Sequence, residues 1–133
     1  MAIQHSVAIR NAMNEAIEAT IGTSAKLRIY SGSPPTNCAS SPTGTLLVEF
    51  SLASDWSTAS SGGSKALATV TGTAGIANGN AGHYRLCDSS GNCHEQGTVS
   101  QPGGGGDAII DNVAIAIGQI VNVLSWVWTQ PGG

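Results

Sequence analysis

The hydrophobic period of this 133-residue chain changes once, at Gly22, and that change constrains the architecture more than any single motif. Before it, apolar residues recur at helical spacing. At 100° per residue, Ile3, Val7, Ile9, Met13, Ile17 and Ile21 fall on one broad side, and Gln4, Asn11, Glu15 and Glu18 fall on the other. This is the pattern of an amphipathic α-helix lying on a core or on a partner. Gly22 stands just past the last apolar position, where a C-terminal cap is usual.

After Gly22 the period is two. Lys26 to Tyr30, Leu46 to Ser51 and Lys65 to Thr71 read as strands. Gly82 to Asp88 and Asn92 to Val99 flank Ser89-Ser90-Gly91 as a hairpin, and Ala108 to Ile117 with Gln119 to Thr129 form a second hairpin about Gly118. In the last strand Ile120, Asn122, Leu124, Trp126 and Trp128 share one face, and Val121, Val123, Ser125 and Val127 share the other. Both faces are largely apolar, so the strand is expected to be central or covered on both sides. About seven strands without βαβ alternation predict a mainly β fold: an antiparallel β-sandwich or small barrel preceded by one helix. The expected organisation is a helix over 1–22 and a β-domain over 23–133. Three connections are long: Gly32 to Thr43, Ala53 to Ser64 and Ser100 to Asp107. The Gly103–Gly106 run in the last is expected to need outside contacts to hold one conformation.

Composition removes several functional classes. Thirteen charged side chains, five of them basic, are too few for a coiled coil or solvated bundle, and a net charge of −3 argues against a nucleic-acid partner. A hydrophobic content of 41% is too high for a disordered chain. The N-terminal segment lacks the basic cluster and apolar run of a secretory signal. The most apolar stretch, Ala108 to Trp128, is broken by Asp111, Asn112, Gly118, Gln119, Asn122 and Ser125, so no membrane partner is expected. The default is a soluble protein folded in a cytoplasm.

Catalytic signals are poor. Glu15 and Glu18 are helical neighbours that read as a solvated face, and nothing in the sequence brings Glu49 and Glu95 to a general acid–base separation. His83, Cys87, Cys93 and His94 share one hairpin, but His83 and Cys87 lie about 13 Å apart along a strand, too far to ligate one zinc ion. Cys87 and Cys93 bracket the Asp88–Asn92 turn and are a candidate disulfide, weighed against free thiols in a reducing cytoplasm. Cys38 has no base beside it in sequence to make it a nucleophile. Neither Ser61-Gly62-Gly63-Ser64-Lys65 nor Gly103–Gly106 matches a phosphate-binding loop, so both read as flexible loops. Trp126 and Trp128, spaced by two, could present a sugar-binding strip, as could Asp55-Trp56, although core packing is the commoner use of such residues. The expectation is a non-enzyme without cofactor or metal, a structural or assembly protein.

The order of segments carries a resemblance. RNAMNEAIEATIG is followed by LRIYSGSPP, CAS and GTLLVEFSL. Then come Gly79 to Cys93 (GNAGHYRLCDSSGNC), HEQGTVS and GQIVNVLSWVWTQP. Over nearly its whole length the chain resembles a family of small virion proteins encoded in the structural-gene region of tailed bacteriophages and prophages. These are packing and turn motifs rather than catalytic ones. The resemblance implies a virion component, assembled in the host cytoplasm. The preferred role within it is a capsid decoration, or cement, protein: a trimer bound to the major capsid protein lattice at the capsid surface. Tail or head–tail joining proteins and a virion-surface carbohydrate-binding module are the alternatives. The expected contact elements are the helix, the Gly32–Thr43 loop and the Gly-rich loop, with Ile3, Val7, Met13, Ile17, Pro34, Pro35, Gly104 and Gly105 as contact residues.

Overall fold

The computed structural model describes residues 4–52, 56–68, 70 and 72–129. One helix, α1, spans Val7–Ile21. Ser6 caps its start by accepting a hydrogen bond from the Ile9 N–H at 3.2 Å. Gly22 ends it at φ +78°, donating its N–H to the Glu18 carbonyl at 2.8 Å. Among the described residues no helix is long and apolar enough to cross a membrane.

The strands are β1 (Lys26–Ser31), β2 (Leu46–Ser51), β3 (Ser64–Ala66), β4 (Thr73–Ala74), β5 (Gly79–Cys87), β6 (Cys93–Ser100), β7 (Ala108–Ile110), β8 (Ala114–Ile115), β9 (Ile120–Val121) and β10 (Val123–Thr129). The main sheet runs β2-β1-β5-β6-β7-β10-β3 and curls into a half-barrel, with β8 paired to β5; β4 and β9 form a separate pair. The fold is mainly β with one N-terminal helix, as the period change indicates.

Details differ from the sequence reading for identifiable reasons. The third strand is shorter, at Ser64–Ala66. The second hairpin splits at Asp111 and Asn122. Their side chains and backbones bond each other at 3.0–3.1 Å. Beyond them β8 leaves for β5 and β9 for β4. One pairing is parallel rather than antiparallel: Val99 lies beside Ala108 and Ser100 beside Ile109. The 101–107 connection turns back sharply enough for this because Gly103 and Gly105 take φ +87° and +76°. That loop is held by its own bonds. Gly104 N–H donates to the Gln101 carbonyl, Gly106 N–H to Ser100 Oγ, and Asp107 Oδ2 accepts from Thr98 N–H at 2.9 Å. The expectation that the Gly-rich loop needs outside contacts is therefore overturned.

The last strand is not covered on both sides. A register shift between Val123 and Ser125 leaves Leu124 as an extra residue against β7. It inverts the alternation, so Val121 and Trp126 are both buried while Leu124 and Val127 are exposed. The core lies on the concave side of the sheet, where Leu27, Ile29, Leu47, Phe50, Tyr84, Leu86, Ile110 and Val121 meet Trp56 and Trp126.

Candidate functional site

The helix packs by its polar stripe. Asn11, Asn14, Glu15 and Glu18, at i, i+3, i+4 and i+7, face the segment from Ser57 to Lys65. Asn14 is fully buried and donates to Ser60 Oγ at 3.1 Å and to the Gly63 carbonyl at 2.8 Å. Asn11 Oδ1 accepts from the Gly63 N–H and from Ser60 Oγ. Glu15 accepts from the Ser60 N–H at 2.6 Å and from the ammonium of Lys65 at 3.1 Å. Glu18 accepts from both the N–H and the hydroxyl of Ser57. Glu15 and Glu18 thus bond across a docking seam, Glu18 half-buried and Glu15 still exposed at 47%, so the solvated reading of their spacing holds for Glu15 only.

The partner segment has the shape this requires. Gly62 and Gly63, both at positive φ (+61° and +84°), make a two-residue turn closed by reciprocal bonds between Ser61 and Ser64. A side chain on Gly63 would also meet Arg10. The Lys65 ammonium is buried, and its charge is met by Glu15 and by the Thr58 carbonyl at 2.5 Å. Hydrogen bonding from the Ser60 N–H, then from Lys65, holds the Glu15 carboxyl below its usual range. The Ser61–Lys65 stretch, expected to be a flexible loop, is an ordered hairpin.

With the polar stripe turned inward, much of the apolar side turns out. Ile9 and Met13 are 49% and 39% exposed, beside exposed Ala8, Ala12, Ala16, Ala19 and Thr20; Val7, one turn before Asn11 at the helix start, is 45% exposed. None of these residues is charged. Ile17 and Ile21 turn toward the core. A groove of about 280 Å³ runs along this side, lined by Met13, Ala16, Ile17, Thr20, Ile21, His94 and Glu95. Of the expected contact residues on the helix, Val7 and Met13 are therefore exposed, Ile17 is half-buried, and Ile3 lies outside the described residues.

The Gly32–Thr43 loop covers the convex side of the sheet. His83 Nδ1 meets the Gly32 carbonyl at 2.9 Å, and the His83 ring stacks on Tyr30 with centroids 5.3 Å apart. Gln96 donates to the Pro35 carbonyl at 2.7 Å, and Arg85 Nη2 donates to the carbonyls of Cys38 and Ser40 at 2.8 and 3.0 Å. A side chain on Gly82 would run into the Gly32 carbonyl, so Gly82 lets the loop lie flat. Pro34 and Pro35 are half-buried within this covering, whereas Gly104 and Gly105 are exposed.

The cysteines lie near the edge of this loop, two on the β5–β6 hairpin and one on the loop itself. Cys87 and Cys93 stand opposite each other across the β5–β6 hairpin, as their spacing suggests, and all three thiols are free. Cys93 donates to the Glu95 carbonyl at 3.3 Å. The Cys38 thiol is the electrostatic neighbour of Cys93; burial, then that neighbour, pushes it up to about 12. Sequence separation hid this approach of Cys38.

Other candidate groups are dispersed. His94 pairs with Asp88 at 2.9 Å; that bond, with the turn N–H groups of Asn92 and Ser90, brings the Asp88 carboxyl to about 2. Among the described residues no three metal-ligating side chains converge. Glu49 binds Arg28 and Lys26 on the convex face, whereas Glu95 accepts from Tyr84 on the concave face. Trp56 and Trp126 are buried, donating to the Gly22 carbonyl and to Tyr84 Oη, so neither offers a ring to a sugar. Asp55 lies outside the described residues. Sequence reasoning missed Asn14, Lys65 and Arg85 as anchors. The signal available was the polar i, i+3, i+4, i+7 stripe set against a segment rich in serine donors. No protein-family model, curated protein or solved structure matches the chain.

Proposed function

We propose that this chain is a structural virion protein of a tailed bacteriophage, and within that class a capsid decoration protein that docks through the outer face of α1. The observation that supports docking is the uncharged outer face, carrying Ile9 and Met13 on a helix whose polar stripe is already committed internally. Covering such a face releases about 25 cal/mol for each Å² of apolar surface, a gain repeated at every copy on a lattice. Exposed Ile76, Ile117 and Ile120 add a second apolar group near the β4–β9 pair. The major capsid protein is the proposed partner, with a trimer of this chain as the docking unit.

The test is co-sedimentation with expanded empty capsids of the phage or prophage that carries the gene. Ile9→Glu combined with Met13→Glu leaves every described bond of the seam in place. Wild-type protein is expected to sediment with capsids, and the double variant to bind at least tenfold more weakly at an unchanged melting temperature. Undiminished binding of the variant would remove the helix from the contact surface. A ring of six or twelve copies at the neck in electron micrographs of the virion would replace decoration with a head–tail joining role.

A further inference from the structure

The cysteine cluster carries an inference that stands on its own geometry and not on the virion reading. We propose that Cys38 and Cys93 form a redox clasp, a disulfide that locks the Gly32–Thr43 loop onto β6 when the folded chain meets a small-molecule disulfide.

Three observations place the partners. Arg85, itself buried, fixes the Cys38 backbone by donating to its carbonyl at 2.8 Å, so the loop delivers this cysteine to the sheet in one position. Cys87 follows Arg85 by two on β5, Cys93 stands opposite Cys87 on β6, and Cys38, held on Arg85, is the electrostatic neighbour of Cys93. Both are partly open to solvent, whereas Cys87, the partner that the hairpin register suggests, is buried with its sulfur turned toward the Arg85 carbonyl at 3.9 Å. An oxidant therefore reaches Cys38 and Cys93 before it reaches Cys87.

The chemistry is thiol–disulfide exchange. One protein sulfur, as thiolate, attacks a sulfur of the added disulfide; a mixed disulfide forms and one small thiolate leaves. The second protein sulfur then attacks the first, and the other small thiolate leaves. The two protons lost by the cysteines end on the two released thiols. The protein is oxidised by two electrons and the reagent is reduced by two. Because Cys38 stays protonated at neutral pH, the exchange is slow there and accelerates as pH rises.

The bond would join residues 55 apart in sequence, a long loop whose closure restricts the unfolded chain strongly. Oxidation should therefore raise the melting temperature by about 10 °C.

The experiment incubates native protein with oxidised glutathione at pH 8, alkylates remaining thiols and digests with trypsin. Cleavage after Arg28, Lys65 and Arg85 places Cys38 in fragment 29–65 and both other cysteines in fragment 86–133. The expected product is a disulfide-linked pair of these fragments, formed equally by Cys87→Ser and abolished in Cys38→Ser and Cys93→Ser. The rise in melting temperature should follow the same pattern. A disulfide confined to fragment 86–133, loss of the cross-link in Cys87→Ser, or three alkylated cysteines after prolonged oxidation would each overturn the clasp.

Discussion

The two faces of α1 show how this molecule chooses its orientations. The inner face makes at least eight hydrogen bonds through Asn11, Asn14, Glu15 and Glu18 to the segment from Ser57 to Lys65. The outer face carries alanines with Ile9 and Met13 and makes none of these described bonds. At about 1 kcal/mol net for each bond, the four described bonds of Asn11 and Asn14 alone contribute roughly 4 kcal/mol. Turning Ile9 and Met13 inward would gain about 2 kcal/mol for each side chain. That rotation would also leave the Lys65 ammonium buried without its carboxylate. The polar face wins, and the apolar face remains open to another molecule.

The comparison breaks most visibly at Asn14. Asn14→Ala removes at least the bonds to Ser60 and Gly63 and leaves the Gly63 carbonyl without this donor in a buried seam. The expected loss is about 3 kcal/mol, or roughly 10 °C in melting temperature. Calorimetry reads it directly. A loss under about 1 kcal/mol would mean that the seam follows the helix rather than holding it.

This seam is also where sequence reasoning stopped short. The helix, its Gly22 cap, the β5–β6 hairpin and the mainly β class were legible because each rests on local periodicity or turn chemistry. The direction in which the helix faces was not, because hydrophobic periodicity identifies a stripe without naming its partner. Burial of polar groups depends on donors 39 to 50 residues away in Ser57, Ser60 and Lys65. The bulge at Leu124 was hidden for a related reason: Val121 to Val127 is largely apolar on both faces in sequence, and only pairing with β7 reveals the extra residue. The approach of Cys38 to Cys93 depends on Arg85 gripping a loop with no periodicity at all.

Acid should loosen the inner face and leave the outer one untouched. The Glu15 carboxyl is lowered from an ordinary value of 4.5 in the folded chain, chiefly by the Ser60 N–H and then by Lys65. A depressed folded value means that the tie is complete above the ordinary value and is lost as pH falls through the folded one. Asp88, brought to about 2, acts in the same direction at the β5–β6 turn. Urea midpoints should therefore fall as pH drops from 5 toward 2. Glu15→Gln should lower the midpoint at pH 7 by less than Asn14→Ala does, and should flatten the acid dependence. An unchanged acid slope in Glu15→Gln would assign the loss to other carboxylates.

The smallest effect should come from the outer face. Ala12 is exposed between Ile9 and Ala16, and Ala12→Glu exchanges one good helix former for another. Its stability change should stay within about 0.5 kcal/mol by urea denaturation, because no internal contact is lost. The same substitution places a carboxylate in the middle of an uncharged surface. If a partner covers that surface, the carboxylate must be desolvated on docking, at a cost of several kcal/mol unless the partner answers it with a cation. A variant that folds like wild type and fails to bind would separate what the two faces do: one holds the helix on the sheet, and the other presents it to a partner. A loss of stability matching that of Asn14→Ala would instead show that the alanine face already packs within the chain or against a second copy.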